Sequence, residues 1–399
     1  MKSIKTVYKI GHGPSSSHTM GPGFAAEKIK ELYPNHTYEV TLYNSLALTG
    51  KGHLTDYIIK DILGEVVFKH AIDLNKHPNL LTFKVLKDGV SKEIEVVSIG
   101  GGEIIFDGKQ EVYDEVYKEK NFNEIKAYCE KHNLSLIEFI RKREPKDTFD
   151  YLKVVWEQMK ETIRKGKRVE GVLPGDLKVV RKAKTLYEKA NSFDNEVLKN
   201  KTLLSAYAFS SSEENAAGGM MVTSPTCGAS GVMPAVLYYA YEVEHVKEDI
   251  IIEALAIGGL IGNIIRKNAS ISGAVAGCQA EIGSACSMAA AAYSHIKGLS
   301  LDQIEYAAEI AMEHHLGLTC DPVGGYVQIP CIERNAVAAT RAINASELSL
   351  VLHETRKISF DMIVETMYQT GLDMDPKYKE TAEAGLASFY RQLEKWQKE

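Results

Sequence analysis

The sequence predicts an α+β N-terminal domain followed by a larger, mostly α-helical domain. Three observations carry that expectation. A chain of 399 residues is too long for one compact core and calls for at least two domains. Strand-like and helical runs alternate as far as about Lys120. From Asn121 onward, apolar residues recur every three or four positions and strand signals almost vanish. The expected division is residues 1–119 for the small α/β domain and 120–399 for the helical one.

Taken in order, a helix is expected from about Pro22 to Leu32. A strand follows over YEVTLYNSLAL (38–48), where apolar residues alternate with a period near two. GKGHLTDYIIKDIL (50–63) turns into a helix. Two further strand-like runs, LLTFKVLKDG and KEIEVVSIGGGEIIFDG, are separated by a turn around Lys-Asp-Gly, a hairpin signal. NFNEIKAYCEKHNLSLIEFIRKRE (121–144) then has helical spacing. The stretch GVLPGDLKVVRK (171–182) reads as an internal loop, and the Gly, Ala and Ser of 216–292 let helices approach closely. No repeat of 20–50 residues is evident.

An apolar content of 45% and a charged content of 25% are those of an ordinary globular protein. A net charge of −6 argues against nucleic-acid and anionic-membrane partners, both of which call for a basic surface. The most apolar run, Ile250 to Ile265, is short and interrupted by Glu253 and Asn263, so it reads as a buried helix and not a membrane span. MKSIKTVYKIGHG lacks the apolar stretch of a secretory signal, and a cytoplasmic location is expected. Six cysteines in a reducing compartment are not expected to pair. None forms a close C-x-x-C pair, so any metal site needs the fold to bring distant positions together.

Three motifs stand out. In GHGPSSSHTMGP (11–22), serine hydroxyls and free amides at a helix start favour an anion, a carboxylate or phosphate. A serine-rich turn capping the helix reads equally well, and a Walker loop is excluded because the Gly-Lys-Ser/Thr ending is missing. In LTGKGHLTD (48–56), His53 stands at an expected helix start, where the positive dipole end favours the neutral imidazole that a general base needs. The third runs from NASISGAVAGCQAEIGSACSMAAAAY to EHHLGLTCDPVGGYVQIPCIERNA. Three thiolates on such small-residue elements suit an iron–sulfur cluster with one iron left open; zinc and inert buried cysteines are the rivals.

GPSSSHTMGP, TGKGHLTD, EENAAGG, NASISGAVAGCQAE and MEHHLGLTCDPVGGYVQIPCIERNA closely resemble the iron–sulfur-dependent L-serine dehydratases (L-serine ammonia-lyases) of bacteria, over essentially the whole chain. The order is that of the single-chain form, a β domain fused ahead of an α domain. The resemblance implies a [4Fe–4S] cluster on Cys278, Cys320 and Cys331, with Cys286 matching a family cysteine that is not a ligand. It implies conversion of L-serine to pyruvate and ammonia, with the open iron acting as Lewis acid on the hydroxyl. His53 is then expected to take the Cα proton, and Ser15, Ser16, Ser17 and His18 to hold the substrate carboxylate. Asn268 and His77 are further substrate-binding candidates. Ser270, Arg334 and Asn335 are expected beside the sulfurs or the substrate, while Glu214 and Asn215 suit helix caps as well as substrate contact. The site is expected between the two domains of a homodimer's subunit.

Two departures matter. Longer family members often finish in a cysteine that folds back into the active site, whereas this chain runs to ASFYRQLEKWQKE. Cys227, in SPTCGASG, stands where the family pattern more often has asparagine. Two alternative functions remain open on sequence: an iron–sulfur cysteine desulfidase or lyase for another β-substituted amino acid, and a cluster-bearing redox or iron sensor.

Overall fold

The computed structural model describes residues 1–110 and 114–396. Among the described residues, strands β2 (Thr37–Tyr43), β3 (Val66–Ala71), β4 (Leu80–Lys87), β5 (Val90–Gly100), β6 (Glu103–Phe106) and β7 (Lys109–Gln110) form a six-stranded sheet in the order β3-β2-β4-β5-β6-β7. A short strand near the start, β1 (Ile10–His12), pairs instead with β8 (Met220–Val222), which lies in the helical part. The α+β part followed by a larger helical body is therefore as the sequence predicts.

Local chemistry explains most of the sheet. Alternation in β2 buries Tyr38, Val40 and Leu42 against Ala25, Ala26 and Ile29 of the helix Gly21–Leu32 and Ile58 and Ile59 of the helix Thr55–Leu63. The β4–β5 hairpin turns on Asp88 and Gly89, both at positive φ (51° and 80°), the Asp-Gly pair that a two-residue turn demands. Three details differ from the sequence reading. NSLAL is not the end of a strand: Asn44 adopts φ 45° and its amide side chain exchanges two 2.8 Å hydrogen bonds with the backbone of Asp73. That ends β2 and starts a short helix, Asn44–Thr49, with Leu46 buried and Leu48 left exposed. The run 92–108 breaks into β5 and β6 at Gly101 and Gly102, again at positive φ. The parallel β3 carries too little burial to signal itself.

In the helical body, Ser284–Ile296 is the buried axis, with Ala289 to Ala292 fully enclosed. Around it pack Val232–Glu242, Glu248–Asn268, Leu301–Glu313 and Cys331–Leu352. The glycines of Glu248–Asn268 admit neighbours at short range: a side chain on Gly258 would stand 3.1 Å from the Met288 carbonyl. No helix among the described residues is long and apolar enough to cross a membrane.

The first eight residues are built into this helical core and not into the sheet. Ile4, Val7 and Tyr8 are buried against Gly259 and Gly262, the Tyr8 hydroxyl donates to the Leu255 carbonyl (2.8 Å), and Asn263 Nδ2 donates to the Lys2 carbonyl (2.6 Å). The chain thus leaves the helical body at β1, builds the sheet, and returns. Ile4→Ala should destabilise the helical body by about 2–5 kcal/mol, the cost of emptying a fully buried aliphatic site. Urea unfolding followed by far-UV circular dichroism reads the shift in midpoint.

Candidate active site

The β1–β8 pair delivers the serine loop to the helical body. His12 Nδ1 lies 2.8 Å from the Gly218 carbonyl, the Gly13 amide donates to the Gly219 carbonyl (3.2 Å), and Asn215 Nδ2 donates to the Pro14 carbonyl (3.2 Å). Approach is so close that a Cβ on Gly13 would stand 2.0 Å from Asn215 Oδ1. That explains the glycine here and gives EENAAGG a role as the seat of the loop. Ser15 then caps a turn, Ser16–Met20, that runs directly into the helix Gly21–Leu32. The Ser15 hydroxyl accepts from the His18 amide (3.1 Å), leaving the Ser16 and Ser17 amides at the mouth of the helical segment.

Two histidines meet beside this turn. His18 Nδ1 lies 2.8 Å from Ser17 Oγ and its Nε2 2.8 Å from Ser45 Oγ. Its ring sits 4.7 Å, centroid to centroid, from that of His53. The loops carrying them are tied together: Thr19 Oγ1 donates to the His53 carbonyl (2.6 Å) and Thr55 Oγ1 to the His18 carbonyl. Burial, helped by the nearby His53, pushes the His18 imidazole down to about 3. His53 is also held below its ordinary value, by burial, against an opposing hydrogen bond to the Thr49 carbonyl. His53 precedes the helix Thr55–Leu63 by two residues, so the expected neutral imidazole is present but burial is its cause, not a helix terminus.

The bond to Thr49 fixes the tautomer. A carbonyl only accepts, so Nδ1, 3.1 Å away, carries the proton and Nε2 of the neutral ring holds a free lone pair. A base with an oriented, unprotonated Nε2 results.

The thiols gather from three elements. Cys278 precedes the turn Gln279–Gly283, Cys320 lies on an extended segment, and Cys331 begins the helix Cys331–Leu352, where thiolate charge meets the helix N-terminus. One ligand atom each from Cys278, Cys320 and Glu281 lie within 4.8 Å of one another. A hydrogen bond with Cys278, together with burial, pushes the Cys320 thiol up; burial and the nearby Cys278 do the same to Cys331. The Arg334 guanidinium faces Cys278 and Cys331 and is fixed by the Thr319 carbonyl (2.8 Å) and Asp321. Asn335 ties the Gly228 carbonyl and the Gly231 amide to the Cys331 turn. Thiols forced to stay protonated beside a guanidinium are the donor set that a metal cation deprotonates and binds, so a metal centre fits here.

Cys227 joins the two halves. It is buried with Met20 and Met221, and its raised thiol has the Glu281 carboxylate on one side and a hydrogen-bonding Ser16 hydroxyl on the other. The serine loop and the cysteines therefore share one site. Beside it opens a cleft of about 490 Å³, lined by Pro14, Thr49, Gly52 and Leu54 on one wall and Asp176 and Tyr326 on the other. A larger cleft of about 810 Å³, lined by Lys9, Phe24, Lys28 and Phe106 among others, includes none of the sequence candidates.

Not every candidate is brought in. Asn268 Nδ2 donates to the carbonyls of Lys120 and Ile264, ending its own helix. Ser270 Oγ accepts from the Ser272 amide. His77 is exposed, with Nδ1 accepting from the Asn79 amide; its loop reaches toward the site through the Pro78 carbonyl, which accepts from the Ser45 amide. Glu214 is buried in ion pairs with Arg181 and Lys165. Cys286 packs in the core, its thiol against the Ala338 carbonyl, and Cys129 is likewise a core residue. Sequence reasoning passed over Glu281. Its signal was a lone acid in an apolar Gly/Ala/Ser stretch, three residues after Cys278 and so on the same helical face.

Comparison with known proteins bears on both halves. The serine dehydratase beta chain family matches residues 3–65, and the serine dehydratase alpha chain family matches residues 107–387. An L-serine dehydratase of Haemophilus influenzae is 39% identical, covering 97% of this chain and 99% of that protein. L-serine dehydratase 1 of Escherichia coli is 40% identical over the same shares, and an L-serine dehydratase of Helicobacter pylori is 40% identical over 96% and 98%. These alignments run to 449, 448 and 446 positions against a chain of 399 residues, so the relatives carry internal stretches that this chain lacks.

The buried neutral His18 has a measurable consequence. Its folded-state value, about 3, is below the ordinary 6.5, so its contribution to stability is present above pH 6.5 and is lost as pH falls toward 3. At pH 5 the loss should amount to about 2 kcal/mol. Urea unfolding at pH 7 and pH 5, compared between the wild type and His18→Gln, isolates this term, and the variant should show the smaller drop.

Proposed function

This chain belongs to the serine dehydratase family, its alpha and beta parts fused in one polypeptide, and from that premise we propose that it is an L-serine dehydratase, converting L-serine to pyruvate and ammonia. What supports the reading is the continuity from Ser16 through Cys227 and Glu281 to Cys278 and Cys320, with His53 beside the same loop, so that a carboxylate, a base and the thiols would share one site. Cys278, Cys320 and Cys331 would hold a [4Fe–4S] cluster, which supplies Lewis acidity toward the substrate hydroxyl when bound. The reading carries with it the cytoplasmic location and homodimeric state expected from sequence; sedimentation of the purified chain measures the second.

The chain's own residues do the rest. The Ser16 and Ser17 amides and hydroxyls receive the carboxylate, and the His18 ring, locked between Ser17 and Ser45, keeps the Ser17 hydroxyl oriented. Orientation of this kind contributes several kcal/mol by fixing the Cα–H bond toward the base. His53 Nε2 takes the Cα proton while Nδ1–H stays on the Thr49 carbonyl, which also steadies the imidazolium that forms. Loss of the proton and of hydroxide leaves aminoacrylate, which tautomerises to the imine and hydrolyses in water to pyruvate and ammonia.

Anaerobic reconstitution with iron and sulfide, followed by serine turnover with L-cysteine as comparison, tests the proposal; a fully loaded protein without lyase activity toward serine would sink it. Cys278→Ser, Cys320→Ser and Cys331→Ser should each lose bound iron and acid-labile sulfide together with activity, whereas Cys286→Ser should keep both. His53→Ala should retain iron and sulfide but turn over about 10²–10⁴-fold more slowly, the usual contribution of general acid–base catalysis. Because burial lowers the His53 value, kcat/KM should hold constant down past pH 6.5 and fall only below it, as the imidazole protonates.

A further inference from the structure

An α-amino acid brings two charges into a site. The serine loop answers the carboxylate, and nothing named so far answers the ammonium. The structure holds an unused carboxyl group in the right place. Glu281 is nine-tenths buried, with a carboxylate oxygen within 4.8 Å of the Cys278 and Cys320 sulfurs and Cys227, the partner of Ser16, nearby. The Thr226 hydroxyl, itself buried, faces its carboxylate. A second carboxylate converges on it: a side chain on Gly273 would stand 2.9 Å from Glu281 Oε2 and 2.7 Å from Glu380 Oε1. Gly273 is glycine where the two acids close in. Arg334 is the cation on this side, but it is spent on the Thr319 carbonyl, Asp321 and the thiols. Among the described residues neither the buried Glu281 nor the exposed Glu380 closing on it has an ion pair with a cation, and that leaves a place for one.

We propose that Glu281, with Thr226 beside it, receives the α-ammonium group of the substrate and so makes the site selective for amino acids over hydroxy acids. The inference rests on the amino-acid lyase reading above and deepens it. Geometry supports the order of contacts: carboxylate on Ser16 and Ser17, ammonium on Glu281, and the hydroxyl left to face the cysteines. Cys227, buried with Met20 and Met221, lies between Ser16 and Glu281, in hydrogen-bond contact with the first.

The test compares two ligands that differ only at the amino group, L-serine and L-glycerate, on reconstituted holoenzyme. Calorimetry at low temperature measures binding, and iron and sulfide are assayed on the same samples. The wild type should prefer L-serine by about tenfold or more. Glu281→Gln should weaken L-serine by about 10- to 100-fold, the worth of one charge-assisted hydrogen bond, and leave L-glycerate within about threefold. Glu281→Asp should recover part of the preference, since it keeps the charge. Equal affinities in the wild type, or equal weakening of both ligands in Glu281→Gln, would overturn the proposal. Loss of iron in Glu281→Gln would overturn it too, by assigning the carboxylate to the metal. Should that variant not fold, the wild-type pair of constants decides alone. Selective serine binding without turnover would overturn the lyase reading and leave this one standing.

Discussion

One short strand pair makes a single site out of two halves. Ile10–His12 on Met220–Val222 is only three residues long, yet it is the point where the chain leaves the helical core for the sheet. Its strength comes from its flanks. Upstream, Ile4, Val7 and Tyr8 are buried among helices; downstream, Gly13 and Pro14 are pinned by Gly219 and Asn215. With both flanks fixed, the serine turn has one position available to it. The helix that follows, Gly21–Leu32, then sets the orientation of the sheet. Rigid elements on both sides hold the turn, and that is the arrangement a site needs when its groups must stay within fractions of an ångström.

The site concentrates groups that would rather be charged in water. His18, His53, Glu281 and the thiols of Cys227, Cys320 and Cys331 are all displaced toward their neutral forms, in each case with burial among the causes. At neutral pH the cost to folding falls mainly on Glu281, whose carboxyl is ionised in the unfolded chain, since imidazoles and thiols are largely neutral there already. The enclosed alanine-rich axis and the Ile-rich helix beside it offset that cost. The same burial serves chemistry. A neutral imidazole can accept a proton, a dry carboxylate holds an ammonium more strongly than a hydrated one, and crowded thiols gain most from a metal.

How much of this was legible in sequence follows from the range of the interactions. The β4–β5 turn was readable because Asp88 and Gly89 fix it locally, and the helix Glu248–Asn268 because its apolar run has no alternative but burial. The end of β2 was misread because a tertiary bond decides it: Asn44 turns to meet Asp73, which no alternation of apolar residues can announce. β1 and β8 were invisible for the same reason, being three-residue strands that exist only as a pair. In the site, the histidines and serines could be picked out by their glycine-rich surroundings. A three-thiolate site could be suspected from the small-residue stretches, but because the cysteines lie on separate elements only the family resemblance said which three. Asn268 was over-read: its amide ends a helix, a common duty for asparagine. For His53 the neutral state was anticipated from a helix dipole, while the structure supplies it by burial.

The segment after the helix Phe360–Asp373 shows how the helical body finishes the metal side. It lies alongside Cys320, whose amide donates to the Tyr378 carbonyl and whose carbonyl accepts from the Glu380 amide, each at 2.8 Å. Asp321, the next residue, takes the Leu386 amide and closes against Gly385. Met374 covers Gly277, which at φ 73° makes the bend into Cys278. One strap thus braces the backbone at two of the three cysteines and carries Glu380 to the Gly273 gap. In this chain the segment contributes backbone hydrogen bonds and a carboxylate. The consequence is a site whose cysteine geometry depends on main-chain pairing. That pairing fixes Cys320 whichever side chains the strap presents.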